Sequence, residues 1–96
     1  MLHMINKSPF ESMSLDDCLK YAGDGSPIML YEDGVYGAQA GSSMEDKMKG
    51  VMGSHDVYVL KEDVALRGLT RLIDGVKEVD YAGFVALVVD HKPASW

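Results

Sequence analysis

Cys18 is the single cysteine in a chain of 96 residues. One thiol cannot form an intramolecular disulfide or a multi-cysteine zinc site, but it can attack as a nucleophile or carry sulfur. It lies in Leu15-Asp16-Asp17-Cys18-Leu19. A helix opened by Ser14 as N-cap places the thiol near the positive helix start, which lowers a thiol pKa, whereas the adjacent Asp16 and Asp17 oppose a thiolate. Leu15, Cys18, Leu19 and Ala22 recur at the spacing of one helical face. The competing role for Cys18 is therefore packing, as a small hydrophobe on an apolar stripe.

A second set of candidates is Lys7, Ser8, Asp33, Asp63 and Arg67. In open parallel sheets, ligands meet the loops at the carboxyl ends of the strands, where Lys7-Ser8-Pro9, Asp33-Gly34-Val35 and Asp63 gather. Lys7 would attract an anion in such a cleft, with Ser8 or Asp33 orienting it. Against this, Ser-Pro and Asp-Gly are ordinary turn formers, and Asp63 with Arg67 makes an ion pair one helical turn apart, just before Gly68. Gly34, Gly37 and Gly41 fit neither the dinucleotide nor the phosphate-loop spacing, so no nucleotide site is supported. His3, His55 and His91 fall on the first strand, a loop and the last helix. They lack the close spacing of metal ligands, and neither a metal nor a cofactor is expected.

The elements that position these residues follow from periodicity. Leu2 to Asn6 reads as a strand, closed by Lys7-Ser8-Pro9. Ser14 caps the first helix in a box-like pattern with Asp17, and Gly23 to Pro27 stops it. Ile28 to Tyr31 is an unbroken apolar run, as suits a strand buried on both faces of a parallel sheet. Val35 to Ala40 predicts a helical turn or short helix, and Ser42 or Ser43 caps a helix carrying Met44, Met48, Val51 and Met52. Val57 to Leu60 is the third strand. A short helix from about Glu62 to Arg67 follows, capped by Gly68 in the left-handed conformation. Val76 to Val79 predicts a weaker strand. Asp80 then caps a last helix with Tyr81, Phe84, Val85 and Val88 on its apolar face. Lys92 to Trp96 carries no clear signal.

This alternation implies an α/β fold: a single three-layer domain over 1–96, with a mostly parallel open sheet of four to five strands and helices on both faces. The composition, 47% hydrophobic and 25% charged, is that of a globular chain. At this length only roughly 60 to 70% of the unfolded surface is buried on folding, so a partner could cover more. A formal charge of −6 repels phosphate backbones, and no direct nucleic-acid binding is expected. Apolar runs such as Phe84 to Val89 are far too short to span a bilayer. The opening residues lack a signal peptide's basic and apolar regions, so a reducing cytoplasm is the expected location.

Taken together, Leu2-His3, Asn6-Lys7-Ser8-Pro9-Phe10, Asp33-Gly34-Val35-Tyr36, Val57-Tyr58-Val59-Leu60, Asp63, Arg67-Gly68, Val79-Asp80-Tyr81, Phe84-Val85 and Trp96 resemble the TusB/DsrH family. The resemblance implies a subunit of a sulfur-relay (sulfurtransferase) complex, a heterohexamer with TusC/DsrF-like and TusD/DsrE-like partners. In the TusBCD branch the relay passes persulfide sulfur towards 2-thiolation of the tRNA wobble uridine. In the DsrEFH branch it serves intracellular sulfur oxidation. The principal persulfide cysteine belongs to the TusD/DsrE-type subunit, which leaves Cys18 as a candidate secondary sulfur acceptor. Leu15 to Leu19 is similar to a cysteine-bearing segment of DsrH-type chains, which favours that branch. The alternative implied role is a purely structural subunit that scaffolds the catalytic partner.

Overall fold

The computed structural model describes Met1–Trp96. Five strands, β1 (Leu2–Ile5), β2 (Ile28–Leu30), β3 (Val57–Leu60), β4 (Lys77–Val79) and β5 (Pro93–Ser95), form one sheet in the order β4-β3-β2-β1-β5. Every pairing is parallel, with His3 opposite Ile28, Ile28 opposite Val57, Tyr58 opposite Lys77 and Leu2 opposite Pro93. The connections carry α1 (Ser14–Tyr21), a 3-10 helix (Glu32–Ala38) with α2 (Glu45–Met52), α3 (Lys61–Leu66) and α4 (Tyr81–Asp90). The sheet and its helices agree with the expected α/β fold.

Strand order explains how the layers form. From β1 to β4 each connection steps in the same direction, and right-handed crossovers then put α1, the 3-10 helix, α2 and α3 on one face. The return from β4 to β5 runs the other way, so α4 lies on the opposite face. Alternation along the strands divides the core accordingly. Ile5, Ile28, Leu30, Val57 and Val59 join Leu15 and Cys18 of α1, Val35 and Ala38 of the 3-10 helix, Met48 and Val51 of α2, and Val64 of α3. On the other face Leu2, Met29 and Leu60 are covered by Phe84, Leu87 and Val88 of α4, with Met4, Tyr31, Tyr58 and Val79 around them.

Coverage of the two faces is unequal. A ten-residue helix is about 15 Å long, while the sheet beneath it spans about 19 Å from edge to edge at ordinary strand spacing. No residue of α4 is buried. Sequence periodicity placed Tyr81, Phe84, Val85 and Val88 on one inward face, but only Phe84 and Val88 pack on the sheet, whereas Tyr81 and Val85 point to solvent.

Local details also depart from expectation. Ser14 is the first helical residue of α1 rather than its cap. Met13 stands at the N-cap and no side chain caps the helix; the amide of Ser14 donates to the hydroxyl of Ser12 at 3.1 Å in the turn that leads into it. Neither Ser42 nor Ser43 caps α2: Met44 stands at its N-cap with no side-chain cap, and the Ser42 hydroxyl accepts from the Met44 amide at 3.2 Å in the turn before it. Two sites agree with the sequence: Asp80 caps α4 by accepting from Gly83 N–H at 2.8 Å, and Gly68 is left-handed at φ +67. His91 lies just past α4 and not on it. The tail, which carried no signal, becomes β5: the Leu2 amide donates to Lys92 O at 2.8 Å and the Trp96 amide to Met4 O at 3.0 Å.

Candidate functional site

Cys18 sits one turn into α1 with Leu15, on the stripe that faces the sheet, and both are buried. Its exposure is 0%, in the cluster that includes Ile5, Leu30 and Val35. Burial pushes the Cys18 thiol up to about 11, because a thiolate there would lose its water without gaining a cation. Asp16 turns away and pairs with Lys47, so that lysine's charge is committed to a carboxylate on the surface. The group is a neutral thiol in the core at neutral pH.

At the carboxyl edge of the sheet the structure brings three of the five loop candidates together. Arg67 Nε donates to Asp33 Oδ1 at 2.9 Å, and its Nη1 to Asp63 Oδ1 at 3.4 Å. The second carboxylate oxygen of Asp63, itself a buried side chain, accepts from the Glu32 amide at 2.6 Å. Glu32 has φ +48, a conformation unusual for a residue with a side chain. Strain of about 1–3 kcal/mol at such a residue persists only when its surroundings hold it. Asp63 supplies the hold, a charge-assisted bond at the first residue of the 3-10 helix, while Arg67 ties that helix to α3. Gly34, two residues on, presses against the end of β1: a Cβ there would stand 2.2 Å from Ile5 O.

Lys7 and Ser8 do not join this network. The Ser8 hydroxyl accepts from Phe10 N–H at 3.2 Å, and its carbonyl accepts from Glu11 and Ser12 N–H. These bonds form the turn that leads into α1. Lys7 is exposed and makes no ion pair. The cluster is therefore a clamp between the ends of β2 and β3, with the loop after β1 packed alongside through Pro9, whose Cγ would lie 3.2 Å from a Cβ on Gly37.

Sequence reasoning missed a further constellation. The indole Nε1–H of Trp96 donates to His3 Nδ1 at 3.1 Å, and Tyr21 stacks on Trp96 with ring centroids 5.9 Å apart. His3 is buried, and its pKa is lowered first by desolvation, then by the charge of the N-terminus and by His55. His55 is elsewhere, its Nδ1 2.7 Å from Ser26 O. The isolated Trp96 at the chain end was the one available signal, but nothing local showed which strand it would reach.

No helix is long and apolar enough to cross a membrane. Compared with known proteins, the sequence matches the family described as DsrH like protein over residues 7–94. It is similar to Protein TusB of Pectobacterium parmentieri, with 35% identity covering 95% of this chain and 94% of that one. Protein TusB of Escherichia coli O81 (strain ED1a) is 33% identical over the same shares. In fold the chain resembles the ychN protein from E. coli, with a TM-score of 0.79, 15% identity, and 99% and 97% of the two chains covered. It also resembles a protein of unknown function from Methanobacterium thermoautotrophicum, with a TM-score of 0.69, 13% identity, and 99% and 94% covered.

Proposed function

The chain belongs to the TusB/DsrH family, and from that premise we propose that it is an assembly subunit of a sulfur-relay complex, holding TusC/DsrF-like and TusD/DsrE-like partners in a cytoplasmic heterohexamer. Sulfur moves along such a relay when an acceptor thiolate attacks the outer sulfur of a donor persulfide and the donor leaves as its own thiolate. The observation that carries the scaffolding role is Cys18 itself. With 0% exposure and a thiol pushed up to about 11, it is neither reachable nor ionised in the folded chain. The attacking group must be both.

Transfer of sulfur to Cys18 is the alternative, and it requires α1 to lift from the sheet. The deciding experiment exposes wild type and Cys18→Ser to the persulfide-charged TusD/DsrE-like partner and weighs the intact chains. Scaffolding predicts that neither gains a sulfur's mass. A gain confined to wild type would establish Cys18 as an acceptor. The relatives named TusB favour the tRNA branch. Deleting the gene should then deplete 2-thiouridine at the wobble position, and a plasmid copy carrying Cys18→Ala should restore it. Unchanged thiolation after deletion would remove the tRNA assignment.

A further inference from the structure

The outer surface of α4 has no role in the fold. Tyr81, Val85 and Val89 recur every four residues along it and are 59%, 62% and 78% exposed. Ala82 and Ala86 fill the space between them and are exposed as well. From Tyr81 to Val89 the helix carries no charge, whereas a helix that merely covers a sheet presents a polar face to water. The inner residues Phe84, Leu87 and Val88 are themselves only half-buried, because one short helix spans a five-stranded sheet. The apolar surface thus continues past the flank of α4 towards Met4, which is also half-buried, and ends at Tyr58, whose ring lies under Lys77 Nζ at 5.6 Å from its centroid.

The charges around this surface identify what it fits. Glu78, Asp80 and Asp90 stand exposed at its two ends, and none of them is in an ion pair, while Lys77 is engaged with Asp56. Asp90 also occupies the negative end of the helix, where a cation is favoured. A second copy of the chain fits badly. Parallel pairing of two α4 helices sets Asp80 on Asp80 and Asp90 on Asp90, and antiparallel pairing sets Glu78 and Asp80 on Asp90. Lys92, two residues past the helix, offsets this only in part, and each copy brings a net charge of −6. Nucleic acid is excluded by the same acids.

We infer that the outer face of α4 seats a different subunit of the relay, through an apolar face on that subunit bordered by Lys or Arg side chains that meet Asp80 and Asp90. The inference rests on the assembly role proposed above and places it on named residues. Uncharged aliphatic and aromatic side chains at the centre with charges at the rim are the usual anatomy of a specific interface. Rim charges there set partner choice and association rate more than affinity.

The test co-expresses the full chain with its TusC-like and TusD-like proteins and follows assembly by size exclusion with light scattering, then affinity by titration. Val85→Glu and Val89→Glu change exposed positions, so both variants should keep the far-UV circular dichroism and melting temperature of the free chain. Each should weaken assembly at least tenfold. Leu66→Glu, at an equally exposed residue on the opposite layer, should leave it intact. Asp90→Asn should weaken binding a few-fold at low salt and remove part of its salt dependence. Wild-type affinity in Val85→Glu and Val89→Glu overturns the inference while leaving the assembly role standing, and so does an equal loss in Leu66→Glu. A wild-type chain that ignores both proteins refutes the two together. Self-association of the isolated chain that Val85→Glu abolishes would give the face to a second copy and overturn the inference as well.

Discussion

Cys18 is sealed under the sheet-facing side of α1, so reagent reaches its sulfur only when that region opens locally. Burial is the cause of the raised thiol pKa, and opening removes it: in the open state the thiol ionises near its ordinary 9.0. The slowing therefore comes from the opening equilibrium, and an opening free energy of about 3 kcal/mol corresponds to a factor of about 150. Iodoacetamide labelling at pH 7.4, followed by intact mass, should run about 150-fold slower than for free glutathione, and unfolding in urea should abolish the difference. The rate should rise about tenfold per pH unit up to pH 9 without a plateau. Labelling of the folded chain within tenfold of glutathione, or a plateau near pH 8, would refute the buried, neutral thiol and remove the main support for a scaffolding role.

Four further outcomes follow from the same geometry. Burial raises the folded pKa of Cys18 above 9.0, so its stabilising contribution is complete below about pH 9 and is lost as pH rises towards about 11; Cys18→Ala should flatten this alkaline limb in pH-dependent urea melts. His3 is shifted the other way. Its contribution is present above about pH 6.5 and is lost as pH falls, and because Nδ1 must be unprotonated to accept from Trp96, the fluorescence of that single tryptophan should titrate on the acid side in wild type and stay flat in His3→Gln. Asp63→Ala frees the Glu32 amide and the strained turn it holds, at a cost of about 2–4 kcal/mol, read as a fall in melting temperature of at least about 10 °C, with Asp63→Asn recovering part of it. Gly34→Ala drives a methyl group into Ile5 O and should cost about 3 kcal/mol in denaturant midpoint with the slope unchanged.

Much of the fold is legible residue by residue because the signals for it are local. Apolar runs at Ile28 and Val57, the helical stripe of Leu15, Cys18 and Leu19, the Asp80 cap and the Gly68 turn each act within a few residues of chain, and each stands where periodicity or capping chemistry puts it. The expected cap at Ser14 fails because the helix begins on that serine: Met13 takes the N-cap position without a side-chain bond, and the Ser12 hydroxyl accepts from the Ser14 amide in the turn before it. At the carboxyl edge, the i,i+4 spacing revealed the Asp63–Arg67 pair, but Asp33 lies 34 residues from Arg67 and Glu32 lies 31 from Asp63, separations that no spacing rule reaches.

The sequence alone determined the strand and helix alternation, the parallel sheet that follows from it, the family, and the apolar stripe that turns Cys18 inward. Tertiary structure decided how completely that thiol is sealed, since its cover comes from β1, β2 and the 3-10 helix together. It also decided that Trp96 closes on His3 across almost the whole length of the chain, and that half of the apolar α4 is left in water. Periodicity reports which residues share a face; it does not report how much of an opposing surface exists to cover them. That depends on strand order and crossover direction, which bring three helical connections to one side of this sheet and leave α4 alone on the other.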